Sequence, residues 1–271
     1  MFNLLFSEIF RLRKRSQSWI LFVIAVLLIG LIYGGFVMAG LLTSGQESQD
    51  LREQATFSNY AEFGIAMAVG FFGSVMLIIV ASGLMGNEFS WNTLRPLVAR
   101  ARSRSGLITA KLLALEIYTV VFVLALSLVV AAMFLVGSMI VGEPSGFSMG
   151  VLWDGIEYAA RLTYTNVPYL ALAFMLATVF RSNAAGIAGA LGLSFIEQPV
   201  FLLLKFAGDF FEDIEKWGLS YNVAEFSNFA GTTIDPNAGV DWRAFGILGG
   251  YSVIFIAITY FVFLRRDVTS G

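Results

Sequence analysis

Five cations and a single acid share the stretch Gly86–Lys111, GNEFSWNTLRPLVARARSRSGLITAK. The cations are Arg95, Arg100, Arg102, Arg104 and Lys111, and the acid is Glu88. Such a run can bind anionic lipid, fix the side of a membrane on which it sits, or dock a soluble partner. It cannot do phosphate chemistry of the P-loop kind. That chemistry needs Gly-Lys followed by Ser or Thr, and the four lysines of this chain follow Arg13, Ala110, Leu204 and Glu215. There is no histidine and no cysteine. Imidazole acid–base catalysis, thiol nucleophiles, disulfides and Cys/His metal sites are therefore all excluded. Residues 146–150 read Gly-Phe-Ser-Met-Gly, the G-x-S-x-G pattern of a nucleophile elbow. That pattern needs a strand–turn–helix setting and a base, and neither is evident. No catalytic and no metal-binding residue is expected.

The elements that carry these residues follow from composition. Of 271 residues, 58% are hydrophobic and 13% are charged, against about 25% charged in soluble proteins. The fold class is an all-α integral membrane protein. Six apolar runs, approximately 18–42, 63–85, 112–141, 158–180, 184–206 and 243–264, each approach the roughly 20 residues that cross a bilayer. Together they form one membrane domain, residues 1–271. The run Trp19–Leu42 is too long for a signal-peptide core and has no A-x-A-like site. Only Arg181, Ser182 and Asn183 separate the fourth and fifth runs, so these form a tight hairpin.

Lys and Arg assign the sides. They gather at Arg11, Arg13, Lys14 and Arg15, in 86–111, at Arg181, and at Arg265 and Arg266. The intervening stretches 43–62, 142–157 and 207–242 are acidic. Both termini and the 86–111 loop are thus expected in the cytoplasm of a plasma membrane. Residues 2–15 read as an amphipathic helix in the interface, with Phe2, Leu5, Phe6 and Ile9 on one face and Asn3, Ser7, Glu8, Arg11 and Lys14 on others. In the outer segment 207–242, Phe206, Phe210, Ile214 and Trp217 recur near helical spacing and suggest a helix resting on the outer leaflet. A pI near 5.3 gives no sign of nucleic acid as a partner.

Polar groups inside the runs are costly, and so are informative. Glu116 is expected to pair with Lys111 or another cation of the basic loop. Arg161, with Glu157 one turn before it and Asn166 after it, is expected near Glu197 and Gln198 across the hairpin as an ion pair or polar patch. Pro199 is expected to kink the fifth run. Small residues recur at Gly30/Gly34, at Gly246/Gly250 and along Ala184, Ala188 and Gly192, and allow close helix packing within or between subunits.

Glu88, Asn92-Thr93-Leu94-Arg95, Arg100, Ser103-Arg104 and Lys111 together resemble the signature of export-type ABC transporter permeases, the ABC type-2 family. There an acid after the second span is followed by a Gly-Thr-Leu-Arg-like turn, a basic helix, a Ser-Arg pair and a Lys opening the third span. Here Asn92 stands where Gly is usual and Ala101 where Pro is common, and Pro96 is additional. Asn92 is expected to cap the helix, with Pro96 in its first turn. The resemblance implies that a separate ATPase binds ATP and Mg, while this chain binds no cofactor. It implies a coupling helix at about 92–102, an N-terminal elbow at 2–15, a smaller ATPase contact at Arg181, and a second permease, identical or related, completing the pathway. Two other readings stay open from the sequence: a non-transporting scaffold that recruits a cytoplasmic partner, and a secondary transporter, though inverted repeats with broken helices are not evident. The Phe-, Leu- and Val-rich spans suit a lipid, drug or hydrophobic peptide as cargo, a composition that lipid-facing surface shares.

Overall fold

The computed structural model describes residues 2–100, 103–142, 148–206, 208, 210–227 and 239–265. These residues are helical with short connections. The order is α1 (Phe2–Lys14), α2 (Ser16–Leu42), α3 (Gln46–Gln54), a 3-10 turn (Phe57–Asn59), a π-helical stretch (Tyr60–Gly73) continuing into α4 (Ser74–Ser90), α5 (Leu94–Arg100), α6 (Arg104–Val141), α7 (Met149–Phe180), α8 (Asn183–Lys205), α9 (Phe210–Glu215), α10 (Leu219–Ser227) and α11 (Trp242–Arg265). Among the described residues, six helical segments are long and apolar enough to cross a membrane: α2, Phe57–Ser90, α6, α7, α8 and α11. All six expected runs are present. Several helices extend past the apolar run that marked them. The third starts at Arg104 and the fourth at Met149, because a helix continues through polar residues until a cap ends it.

Those caps are legible residue by residue. Ser103, Ser148 and Ser182 each precede a helix and accept the N–H three residues on, from Gly106, Val151 and Ala185. This is the preferred role of Ser at a helix start, worth about 1 kcal/mol. Ser148, the serine of the G-x-S-x-G pattern, therefore caps α7; Gly146 and Phe147 lie outside the described residues. Gly142 closes α6 and Arg181 closes α7 in the left-handed region.

In the hydropathic window that would cross the membrane, α7 is the most covered span, 72% buried, and it is also the least apolar, with a mean hydropathy of 1.3. In α2 the order is reversed, with 22% buried and a mean hydropathy of 2.8. Lipid rewards apolar surface on the outside of a bundle, so the central helix can carry the polar groups. Two elements were not evident in the sequence. The polar helix α3 folds back on α2, where Arg52 Nε donates to Gly40 O at 2.8 Å. The outer segment forms two short helices, α9 and α10, where one was expected; residues 228–238 lie outside the described residues.

Candidate functional site

The basic residues converge at one end of the bundle. Here α1, the end of α4, α5, the start of α6 and the α7–α8 turn meet. The centre of this junction is Lys111, which is 0% exposed. A lysine buried to that degree must be paired. Its Nζ donates to Glu88 Oε1 at 2.6 Å and to Glu8 Oε2 at 3.0 Å, with a longer contact to Leu84 O at 3.5 Å. Glu8 and Glu88 are both 1% exposed. Arg11 Nη1 lies 3.3 Å from Glu8 Oε1 and 3.8 Å from Glu88 Oε1, and Arg15 Nη2 lies 3.7 Å from Glu88 Oε1. Arg15 also donates to Gly83 O at 3.2 Å. Three cations and two carboxylates thus tie α1 to the two spans that flank the basic loop.

The loop itself is built by a cap. Asn92 has φ +53, a conformation that Gly adopts freely and Asn better than other side chains. The N–H of Thr93 reaches Glu88 O at 3.1 Å and that of Asn92 reaches Phe89 O at 3.2 Å. These two bonds form a Schellman motif closing α4. Asn92 is therefore the left-handed residue that ends α4, not the cap of the helix that follows. That requirement explains why a Gly suits the same place. Thr93 immediately precedes α5, and Pro96 falls in the first turn, where its missing N–H removes no bond. Leu94 is 2% exposed and pins α5 to the bundle. Arg95, Trp91, Asn92 and Thr93 face outward. The expected helix at 92–102 is observed as Leu94–Arg100, and 101–102 lie outside the described residues. A cavity of about 310 Å³ separates α5 from α1, lined by Arg11, Arg15, Glu88, Trp91, Thr93, Pro96 and Leu97.

The α7–α8 turn docks beside this loop. A Cβ added at Gly86 would lie 2.4 Å from Asn183 Cα, so only glycine permits the approach. Ser82 Oγ donates to Asn183 O at 2.7 Å, and the Arg181 guanidinium lies 6.0 Å from the centre of the Phe89 ring. Arg181 and the basic loop are distant in sequence and adjacent in space.

The other expected contacts resolve differently. Glu88 and Lys111 are enclosed by their own chain, which leaves them no surface to offer a partner. Glu116 does not pair with Lys111, whose amine is occupied. Five residues along a helix is a rotation of about 140°, so the two point to different faces. Glu116 is half-buried and has no hydrogen bond or ion pair among the described residues. Arg161 does not meet Glu197. Its Nη2 pairs with Glu157 Oε1 at 2.6 Å. Glu197 instead accepts the N–H groups of Leu219 and Ser220 and caps α10. Asn166 Nδ2 donates to Leu162 O at 2.8 Å, and Gln198 is exposed on α8.

Sequence reasoning missed Glu8, which it set on a polar face. Glu8 lies one turn from Leu4 and one from Leu12, and those residues define the face turned to the bundle; Leu12 is 2% exposed. Phe6 and Phe10, 68% and 60% exposed, form a second apolar face turned outward. An acid between two leucines at helical spacing was the available signal. Among the described residues, no group of three or more Asp or Glu side chains is placed to hold a metal ion.

Comparison with known proteins agrees with this architecture. The chain is 25% identical over 206 residues to the uncharacterized protein YhcI of Bacillus subtilis (strain 168), a match spanning 71% of this chain and 64% of that protein. The family model of the ABC-2 family transporter proteins matches residues 4–197, a range that takes in the N-terminal helix, the ion cluster, the capped loop and the α7–α8 turn. With its six apolar spans, this multi-pass plasma-membrane chain belongs to the ABC-2 transporter family, the membrane component of ABC transporters rather than their ATPase.

Proposed function

We propose that this chain is the permease of an ATP-driven exporter, with its basic end in the cytoplasm and its energy supplied by a separate ATPase subunit that binds ATP and Mg. The observation that carries this reading is the ion cluster Glu8–Lys111–Glu88. It joins α1, α4 and α6 into one block, and α5 projects from that block on a fixed cap. A load applied to α5 then moves two spans together, as rigid-body transmission requires. In this reading Asn92, Thr93, Leu94, Arg95, Arg100 and Arg104 form or present the ATPase contact. Arg181 adds to it from the adjacent turn. Glu88 and Lys111 hold the contact in position without touching the partner.

A second permease, identical or related, would complete the pathway. Support comes from α8, of whose membrane window only 6% is buried. On its outward side Ala184 and Ala188 are exposed and Gly192 is half-buried, an arrangement that suits close helix packing. The outward Phe6 and Phe10 suit a seat for α1 in the lipid interface.

The test is co-purification with a candidate ABC ATPase co-expressed with this chain, followed by vanadate-sensitive ATP hydrolysis in liposomes. Charge reversal at Arg95 and Arg100 is expected to abolish both assembly and stimulated hydrolysis. Assembly and hydrolysis at full strength in that variant would remove α5 from the coupling role.

A further inference from the structure

A cavity of about 320 Å³ lies within the bundle between the π-helical stretch and α4, α7 and α8, and α10 lines it from the acidic end. Sites that hold small molecules begin near about 300 Å³. Asn166 in its wall lies 14 residues before Phe180, the last residue of α7. That is about 21 Å along the helix axis, past the middle of a span of about 30 Å. Among the described residues, no Asp, Glu, Lys or Arg lines the cavity. Its wall presents mostly apolar surface, broken by the amides of Asn166 and Gln198, by the hydroxyls of Tyr158 and Tyr169, and by several Ser and Thr side chains.

Asn166 decides what the cavity can hold. The residue is 2% exposed. Its Nδ2 is committed to Leu162 O, and a flipped amide would set two acceptors against each other. Its Oδ1 is buried and accepts no hydrogen bond among the described residues. An acceptor left open at this depth is destabilising until a donor fills it. Two nearby groups are already engaged: Ser194 donates to Leu191 O, and Glu197 is taken up by α10. Tyr158 also borders a smaller cavity of about 80 Å³ with Glu62, Asp154, Glu157 and Arg161 at the acidic end.

We propose that this cavity binds the polar end of an uncharged amphiphile. An O–H or N–H of the ligand donates to Asn166 Oδ1, and its apolar part lies against Phe71 and Phe195. A charged head is disfavoured, because no counter-charge lines the wall among the described residues. The inference rests on the permease reading only for the ligand's source, which is either cargo in transit or a resident membrane lipid.

The chain has no cysteine, so Ser194→Cys places one reporter thiol in the wall. The full-length variant in lipid nanodiscs is labelled with N-ethylmaleimide during titration with 1-octanoylglycerol, octanoate or octyltrimethylammonium. The uncharged probe is expected to slow labelling about tenfold at saturation, and the two ions are expected to leave the rate unchanged. Asn166→Leu in the same background should cancel the protection. Asn166→Asp should transfer it to octylamine, whose ammonium would pair with the new carboxylate, and this gain demonstrates that the cavity survives substitution. Protection that persists in Asn166→Leu, or equal protection by all three probes, overturns the proposal. With the ATPase bound, ATP and vanadate release the probe from a cargo site and leave it in a lipid site. A chain that binds the probe through Asn166 but recruits no ATPase keeps this site and loses the exporter reading instead.

Discussion

Lys111 and Asn166 are about equally buried, at 0% and 2% exposed. The first meets two carboxylates, flanked by two arginines. The second leaves its carbonyl oxygen without a partner. Both sit where water is scarce, so both satisfy or fail to satisfy their bonding inside the chain. At the basic end the Lys111 amine is satisfied by carboxylates from two other helices, although Glu88 Oε2 accepts no hydrogen bond among the described residues, and the result is a joint that ties three helices together. In the cavity the unsatisfied oxygen favours whatever donor enters.

The largest test of that contrast is Lys111→Met. It strands two buried carboxylates and should lower stability by about 3–5 kcal/mol, read as a fall in melting temperature of the detergent-purified chain. Adding Glu8→Gln and Glu88→Gln should recover much of that loss, since neutral groups need no counter-charge. A triple variant no more stable than Lys111→Met would show that packing, not charge pairing, holds the junction. Gly86→Val drives a side chain into the Asn183 backbone and should cost about 1–3 kcal/mol by overpacking, again read by melting. A neutral result would separate the α7–α8 turn from α4. Asn92→Val should cost about 1–2 kcal/mol at its left-handed φ, whereas Asn92→Gly should melt as the parent does. The smallest effect has the opposite sign. Asn166→Leu removes a buried unpaired acceptor and is expected to leave melting unchanged or raise stability by up to about 1 kcal/mol. A large destabilisation there would mean that Asn166 is as structural as Lys111, and the contrast would fail.

The spans, their order and the division into basic and acidic ends were legible because hydropathy and charge are properties of contiguous sequence. The caps were half legible. Ser103, Ser148 and Ser182 carry the residue type that caps need. Asn92 suited a cap too, but the one that closes α4 and not the one that opens α5, since only backbone dihedrals separate the two. The polar pairs were read least well. Glu116 is the near neighbour of Lys111 in sequence, and Glu197 lies opposite Arg161 only if the hairpin is taken as flat. Helical phase turns the first two apart, while Glu157 satisfies Arg161 from one turn away. The partners of Lys111 come from residues 8 and 88, separations that no local pattern reports.

The chain by itself determined that this is a six-span membrane protein, that no residue type for catalysis by imidazole or thiol is present, and that a basic capped loop lies between the second and third spans. These follow from which side chains occur and at what local period. Only the tertiary structure decided that Glu8 belongs to the junction, that the α7–α8 turn lies against the basic loop, and that Asn166, its Oδ1 unpartnered, lines a cavity. Each depends on the angle at which one helix meets another, which is set by packing of whole faces.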